Sequence, residues 1–213
     1  MDSYLDHENI ARSTSDIEYH PLRPFLPSNG RILMLGSFPP QQKRWAMPFF
    51  YPNFSNDMWR VLGHIFFDDA QHFVDASAKT YRLEAIVDFL NTVGIGIFDT
   101  ATAVRRLQDN ASDKYLEVVI PTDIESLLAQ MPQCRTIVTT GQKATDTICA
   151  RFGIEQPKMG SYTTFSITAD DGQPQPMKLY RLPSTSRAYP LALTKKAESY
   201  RCMFNEVLEA YRK

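Results

Sequence analysis

The sequence predicts an α/β fold: a three-layer α/β/α sandwich around a central, mainly parallel four-stranded sheet. It is read as a single domain, 1–213, with a peripheral N-terminal extension over residues 1–25. Three observations predict this. Short apolar or β-branched runs alternate with stretches of helical periodicity, the pattern of a parallel sheet covered on both faces. Each run stops at a loop rich in small polar, aromatic or proline residues. The chain has 213 residues, 43% of them hydrophobic and 12% aromatic, which suits one core and excludes a disordered chain.

Residues 1–20 are polar and acidic and are expected on the outside, and PLRPFLPSNG (21–30), with its prolines, is a loop entering the first strand. Arg31 to Leu35 is a buried strand that ends at Gly36-Ser37-Phe38-Pro39-Pro40. Beyond the aromatic patch Phe49-Phe50-Tyr51-Pro52, the residues Met58, Val61, Leu62, Ile65 and Phe66 recur at helical spacing. Leu83, Ile86, Val87 and Leu90 repeat the pattern, and Gly94 closes it. Ile95 to Phe98 is a second strand, stopping at Asp99-Thr100. Thr122 and Glu125 have the spacing of a capping box ahead of Ile124, Leu127, Leu128 and Met131.

Cys134 to Thr140 reads as a third strand, and Gly141-Gln142-Lys143 turns into a helix through about Phe152. Residues 161–168 and 177–182 flank Asp171-Gly172 as a hairpin whose second arm, Lys178 to Leu182, is the fourth core strand. A final helix led by Thr194 carries Tyr200, Met203, Phe204, Val207, Leu208 and Tyr211 on one face.

Composition narrows the function. Lys and Arg total 23 against 24 Asp and Glu, a formal net charge of -1, which excludes a polybasic protein. The acids concentrate in the first twenty residues, leaving 22 basic against 19 acidic residues in the body, so a local basic face is compatible. No apolar run approaches a membrane span, and MDSYLDHENI has no secretory pattern, so a cytoplasmic location is expected. Cys134, Cys149 and Cys202 are widely spread and read as reduced structural thiols; neither metal nor cofactor is expected. Gly141-Gln142-Lys143 lacks P-loop spacing, and no GxSxG elbow is present. His7, His20, His64 and His72 all lie outside the strand-end loops, which ranks triad and zinc chemistry low.

In a parallel sheet, ligands sit beyond the carboxyl ends of the strands. The candidate site is therefore the loops 36–56, 99–105, 140–143 and 183–190. Gly36, Ser37, Phe38 and Pro39 form a stiff loop whose amides approach a ligand closely, or a plain proline turn. Phe49, Phe50 and Tyr51, followed by Asn53 and Asn56, suit a pocket that stacks a flat ring and bonds its edge, or belong to the core. Asn56 or Asp57 equally suits a helix cap. Asp99 is a turn residue or a carboxylate poised in the cleft. Pro183, Ser184, Thr185, Ser186 and Arg187 read as a surface turn or as a phosphate-binding loop.

Taken together and in this order, these loops resemble the uracil-DNA glycosylase superfamily, most closely its hypoxanthine-DNA glycosylase branch. The first motif resembles Gly36-Ser-Phe-Pro39; the second is similar to Phe49-Phe-Tyr-Pro-Asn-Phe-Ser-Asn56-Asp-Met-Trp59; the last, Pro-Ser-Thr-Ser, is matched by Pro183 to Ser186. The segment Gly94 to Arg105 resembles a strand of the uracil enzymes, with Asp99 where they carry a base-reading Asn. Phe38 and Leu182 stand where those enzymes carry an activating polar residue and a His.

The resemblance implies a monofunctional DNA glycosylase that hydrolyses the N-glycosidic bond of a deaminated base, whether hypoxanthine, uracil or xanthine, in base-excision repair. It is expected to act as a monomer, without cofactor, on damaged DNA. The implied catalytic residues are Asn56 and Asp99, and the base pocket is Gly36, Ser37, Phe38, Pro39, Phe50, Tyr51 and Asn53. DNA contacts fall to Lys43, Arg44, Gly141, Gln142, Lys143 and Pro183 to Arg187, with Arg187 filling the space of the extruded nucleotide. Two other readings stay open: a lesion-binding protein without chemistry, and an enzyme of small nucleoside-like ligands.

Overall fold

Ile17–Tyr19, from the segment expected to be peripheral, forms the first strand, β1, of a small antiparallel sheet. The protein, a computed structural model, is described over residues 17–107, 115–168 and 172–209. Residues 17–25 are integral to the fold, which corrects the expectation for that part of 1–25. His20 N donates to Thr102 O, and Phe25 exchanges backbone hydrogen bonds with Ile97 at 2.8 and 3.0 Å. Residues 1–16 lie outside the described residues.

The chain continues as β2 (Ile32–Gly36), a short 3-10 turn at Gln42–Arg44, α1 (Met58–Phe67) and a small hairpin of β3 (Val74–Asp75) and β4 (Thr80–Tyr81). Then follow α2 (Leu83–Val93), β5 (Ile95–Asp99), β6 (Ala101–Arg106), β7 (Leu116–Pro121) and α3 (Ile124–Ala129). The remainder is β8 (Thr136–Thr140), α4 (Gln142–Phe152), β9 (Tyr162–Thr168), β10 (Pro174–Leu182) and α5 (Leu193–Glu209).

The central sheet has five strands in the order β5-β2-β8-β10-β9. β5, β2, β8 and β10 are mutually parallel, while β9 is antiparallel to β10. The expectation of four strands missed the edge because only the second hairpin arm was counted. β9 alternates exposed and half-buried residues, as an edge strand does, whereas β2, β5 and β8 are buried at every position. The second correction concerns residues 99–105, expected as a loop. After Asp99 the chain runs into β6, which pairs with β1 and β7. The alternation Ala101, Ala103 inward and Thr102 half-exposed marks a strand with one buried face.

From β2 the chain crosses to β5 on one side, and β8 and β10 then extend the sheet on the other. The reversal of strand order about β2 opens a crevice beyond its end. Register aligns the strand ends there: Gly36 pairs with Asp99, and Thr140 with Leu182. The core beneath holds Trp59, Tyr200, Phe204 and the β2 residues Ile32 to Leu35, all nearly or fully buried. The helix expected to carry Ile124, Leu127 and Leu128 is present, but its cap is Asp123, which accepts from Ser126 N and Ser126 Oγ; Thr122 instead donates to Asp99 O at 2.6 Å. Leu208 is half-buried on α5, and Tyr211 lies outside the described residues. Cys134, Cys149 and Cys202 are free thiols, and burial pushes Cys134 up to about 11, which makes it inert packing. Among the described residues, no helix is long and apolar enough to cross a membrane.

Candidate active site

A cavity of about 320 Å³ opens where the parallel strands end, at the lower bound of sites that take a small ring-sized ligand (about 300–1,000 Å³). Its floor is Gly36 from β2, Asp99 from β5 and Thr140 from β8. Gly36 leaves room for the Asp99 carboxylate: a Cβ there would collide with Asp99 Oδ1 and approach Tyr51 Oη at 3.8 Å. The loop after β2 contributes Ser37, Phe38 and Pro39 to the wall. Phe38 is 8% exposed and packs on Ala101, Val104 and Leu116, so part of the ring is core and only an edge is available to a ligand.

The aromatic run divides by what its members face. Phe49 belongs to the core, while Phe50 and Tyr51 line the cavity. Tyr51 sits at φ 48, a left-handed backbone unusual for an aromatic residue, and its hydroxyl lies 3.0 Å from Thr140 Oγ1. Such strain persists only where surroundings impose it, and here the phenol is held across the strand ends.

Asn53 and Asn56 also line the cavity, but their carbonyl oxygens are already used. Asn53 Oδ1 accepts from Ser55 N and Ser55 Oγ at 2.9 and 2.7 Å. Asn56 Oδ1 accepts from Met58 N at 2.9 Å, the bond that starts α1. Asn56 also carries its amide NH₂, a pure donor. Two further side chains fix its backbone: Tyr81 Oη donates to Asn56 O at 2.8 Å, and Arg60 donates to Phe54 O and Asn56 O. Burial raises the Tyr81 phenol above its ordinary value, so it stays protonated and keeps donating.

Asp99 is 8% exposed. Its Oδ2 lies 2.9 Å from His20 Nε2, and its Oδ1 sits over Gly36 at the cavity floor. This corrects the placing of every histidine away from the strand ends. His20 lies 79 residues before Asp99, and only the pairing of β1 with β6 brings it there.

The loop 183–187 splits as well. Ser184, Thr185, Ser186 and Arg187 line the cavity, with Ser186 and Arg187 exposed at its rim. Pro183 is buried and its carbonyl accepts from Tyr200 Oη at 2.9 Å; Thr185 is 2% exposed and its carbonyl accepts from Asp57 N. Both shape the loop; Thr185 also reaches the cavity wall, and Pro183 does not. Arg44 lines the cavity, whereas Lys43 beside it is exposed and does not.

Gly141, Gln142 and Lys143 stand outside the cavity wall. Gly141 adopts φ 109 with Ser184 Cβ at 3.6 Å from where its own Cβ would be. Gln142 is engaged by Asp146 and Arg181 on the flank of α4.

Arg106 was not expected and lines the cavity. It donates to Pro39 O at 2.7 Å, pairs with Glu18 and lies 5.8 Å from the Phe38 ring centroid. Lys196 was missed too: it is 1% exposed, and its ammonium bonds Asp57 Oδ2 and Ser186 O at 2.9 and 3.0 Å. A lysine on the apolar face of α5, four residues before Tyr200, was the available signal. Among the described residues, no group of His, Cys, Asp and Glu converges to hold a metal.

No family model matches the chain, and no curated protein matches it. Among solved structures, the chain is similar to the solution structure of a Methanosarcina acetivorans protein described as a "putative Uracil DNA glycosylase". Identity is 20% with a TM-score of 0.57, over 90% of this chain and 98% of the other. At that identity the likeness shows a shared fold.

Proposed function

We propose that this protein is a monofunctional DNA glycosylase acting on a deaminated base, hypoxanthine, uracil or xanthine, extruded from the duplex. The observation that carries the reading is that Asn56 and Asp99, on separate elements, border one cavity of ring-like size with Phe38, Phe50 and Tyr51. The shared fold with the archaeal protein described as a uracil DNA glycosylase supports it.

Extrusion costs a few kcal/mol of unstacking, which aromatic contacts of about 1–3 kcal/mol per base offset. As the bond from C1′ to the base nitrogen breaks, its electron pair leaves with the base and the sugar becomes cationic. Asn56 Nδ2–H, the donor left after Oδ1 bonds Met58 N, stabilises the negative charge gathering on a base carbonyl. Asp99 Oδ1 stabilises the cationic sugar and accepts the proton of the water whose oxygen bonds C1′. The released base takes its proton from solvent. No lysine borders the cavity among the described residues, which supports hydrolysis by water over attack by an amine. Arg44, Ser186 and Arg187 at the rim serve the backbone phosphates.

The test is single-turnover base release from duplexes carrying each base, with Asn56→Asp as the diagnostic variant. A carboxylate keeps the acceptor for Met58 N and removes the donor, so folding is retained while release falls about a hundredfold. Undiminished release by this variant would remove Asn56 from the mechanism.

A further inference from the structure

Asp99 presents one oxygen at the cavity floor and bonds a histidine with the other. The His20 side chain is 3% exposed and stands behind the carboxylate, enclosed by Phe38, Phe50 and Phe98 with ring centroids 5.3, 6.1 and 4.5 Å away. A carboxylate only accepts, so Nε2 is the donor of the 2.9 Å bond to Asp99 Oδ2.

The other ring nitrogen meets a backbone that can serve it either way. His20 Nδ1 is 2.9 Å from Leu22 O and 3.1 Å from Leu22 N. A neutral ring accepts from the Leu22 amide, and a protonated ring donates to the Leu22 carbonyl. Each state pairs one Leu22 backbone group and releases the other, and Leu22 is half-buried, so a change of ring state exchanges one hydrogen bond for another. The other charged groups at this corner compensate each other: Arg106, over Phe38, pairs with Glu18 on β1 at 2.9 Å. Among the described residues, the Tyr51 phenol is a further titratable group at this corner, 3.8 Å from where a Gly36 Cβ would stand.

The geometry points to His20 as a positioning residue that sets the charge Asp99 presents to the pocket. With a neutral ring the pair carries one net negative charge; with a protonated ring it carries none. The inference rests on the glycosylase reading, because a developing sugar cation is what a net negative pair stabilises and a neutral pair does not.

The experiment is single-turnover release from duplexes carrying hypoxanthine, uracil or xanthine, by wild type and His20→Gln, from about pH 5 to about pH 8. Glutamine places its amide donor at the reach of Nε2, toward Asp99 Oδ2, and never gains charge. Wild-type release is expected to fall about tenfold per pH unit on its acid limb, as one proton binds, and the variant's profile to be flat across that range. Parallel profiles in the two proteins overturn the inference and leave the glycosylase reading standing. No release by wild type at any pH overturns that reading, and the catalytic use of the pair with it.

A second measurement is independent of activity: imidazole nitrogen NMR of wild type at about pH 8, with His20 assigned by its loss in His20→Gln. The ring proton is expected on Nε2, facing Asp99. A proton on Nδ1 alone also overturns the inference.

Discussion

Lys196 Nζ lies 2.9 Å from Asp57 Oδ2 and donates at 3.0 Å to the carbonyl of Ser186, joining the segment that begins α1 to the loop after β10. Asp57 N, in turn, donates to Thr185 O at 2.9 Å. Two walls of the cavity, far apart in sequence, are thereby locked together by one buried ion pair. Removing one partner leaves an uncompensated charge in the interior. Lys196→Met is expected to destabilise the fold by about 3–5 kcal/mol, and Asp57→Asn/Lys196→Met by less than the two single changes summed. Urea unfolding of the four proteins measures this; strict additivity would show that the pair is not coupled.

Gly36→Ala tests the cavity floor. The added methyl collides with Asp99 Oδ1, and backbone pairing between Gly36 and Asp99 leaves the strands little room to separate. Base release is expected to fall about a hundredfold, the scale of losing one positioned charge-stabilising group. Far-ultraviolet circular dichroism should remain that of the folded chain.

Arg44 and Arg187 are expected to act through phosphates. Each removed contact flattens the plot of log affinity against log salt by about one unit for duplex DNA. Fluorescence anisotropy over a salt series, with Arg44→Ala and Arg187→Ala against wild type, reads this directly. Unchanged slopes would place the duplex elsewhere.

Asp123 links helix α3 to pH. Its side chain accepts from Ser126 Oγ and Ser126 N, which lowers its pKa below the ordinary carboxylate value. The folded protein therefore binds this proton less readily than the unfolded chain. The stabilisation is fully present above the unfolded-state pKa and is lost as pH falls through the folded one. Asp123→Ala should lower the thermal midpoint at neutral pH, and the difference from wild type should narrow as the solution is acidified into that window. A constant difference at all pH values would contradict a charged cap.

The layout of the central sheet was legible because buried parallel strands advertise themselves as unbroken apolar runs, as Ile32 to Leu35 and Ile95 to Phe98 do. Loops at their carboxyl ends then located the cavity, and Asn56 and Asp99 both border it. β6 was illegible since Thr102, Arg105 and Arg106 interrupt the apolar pattern of a strand exposed on one face. His20 was illegible for a different reason: its partner is distant in sequence, and the short strand that delivers it, Ile17–Tyr19, has no periodicity to read. The caps show the limit of spacing alone. Thr122 has the right interval to Glu125, yet its hydroxyl is taken by Asp99 O, which leaves Asp123 to begin the helix.

The left-handed backbone at Tyr51, φ 48, is a torsion that glycine would relax by about 1 kcal/mol. Glycine would also delete the hydroxyl that reaches Thr140 and a half-buried ring packed on Trp59, a loss of about 3 kcal/mol. A screen for thermal endurance and a screen for base release would therefore both hold the tyrosine in place.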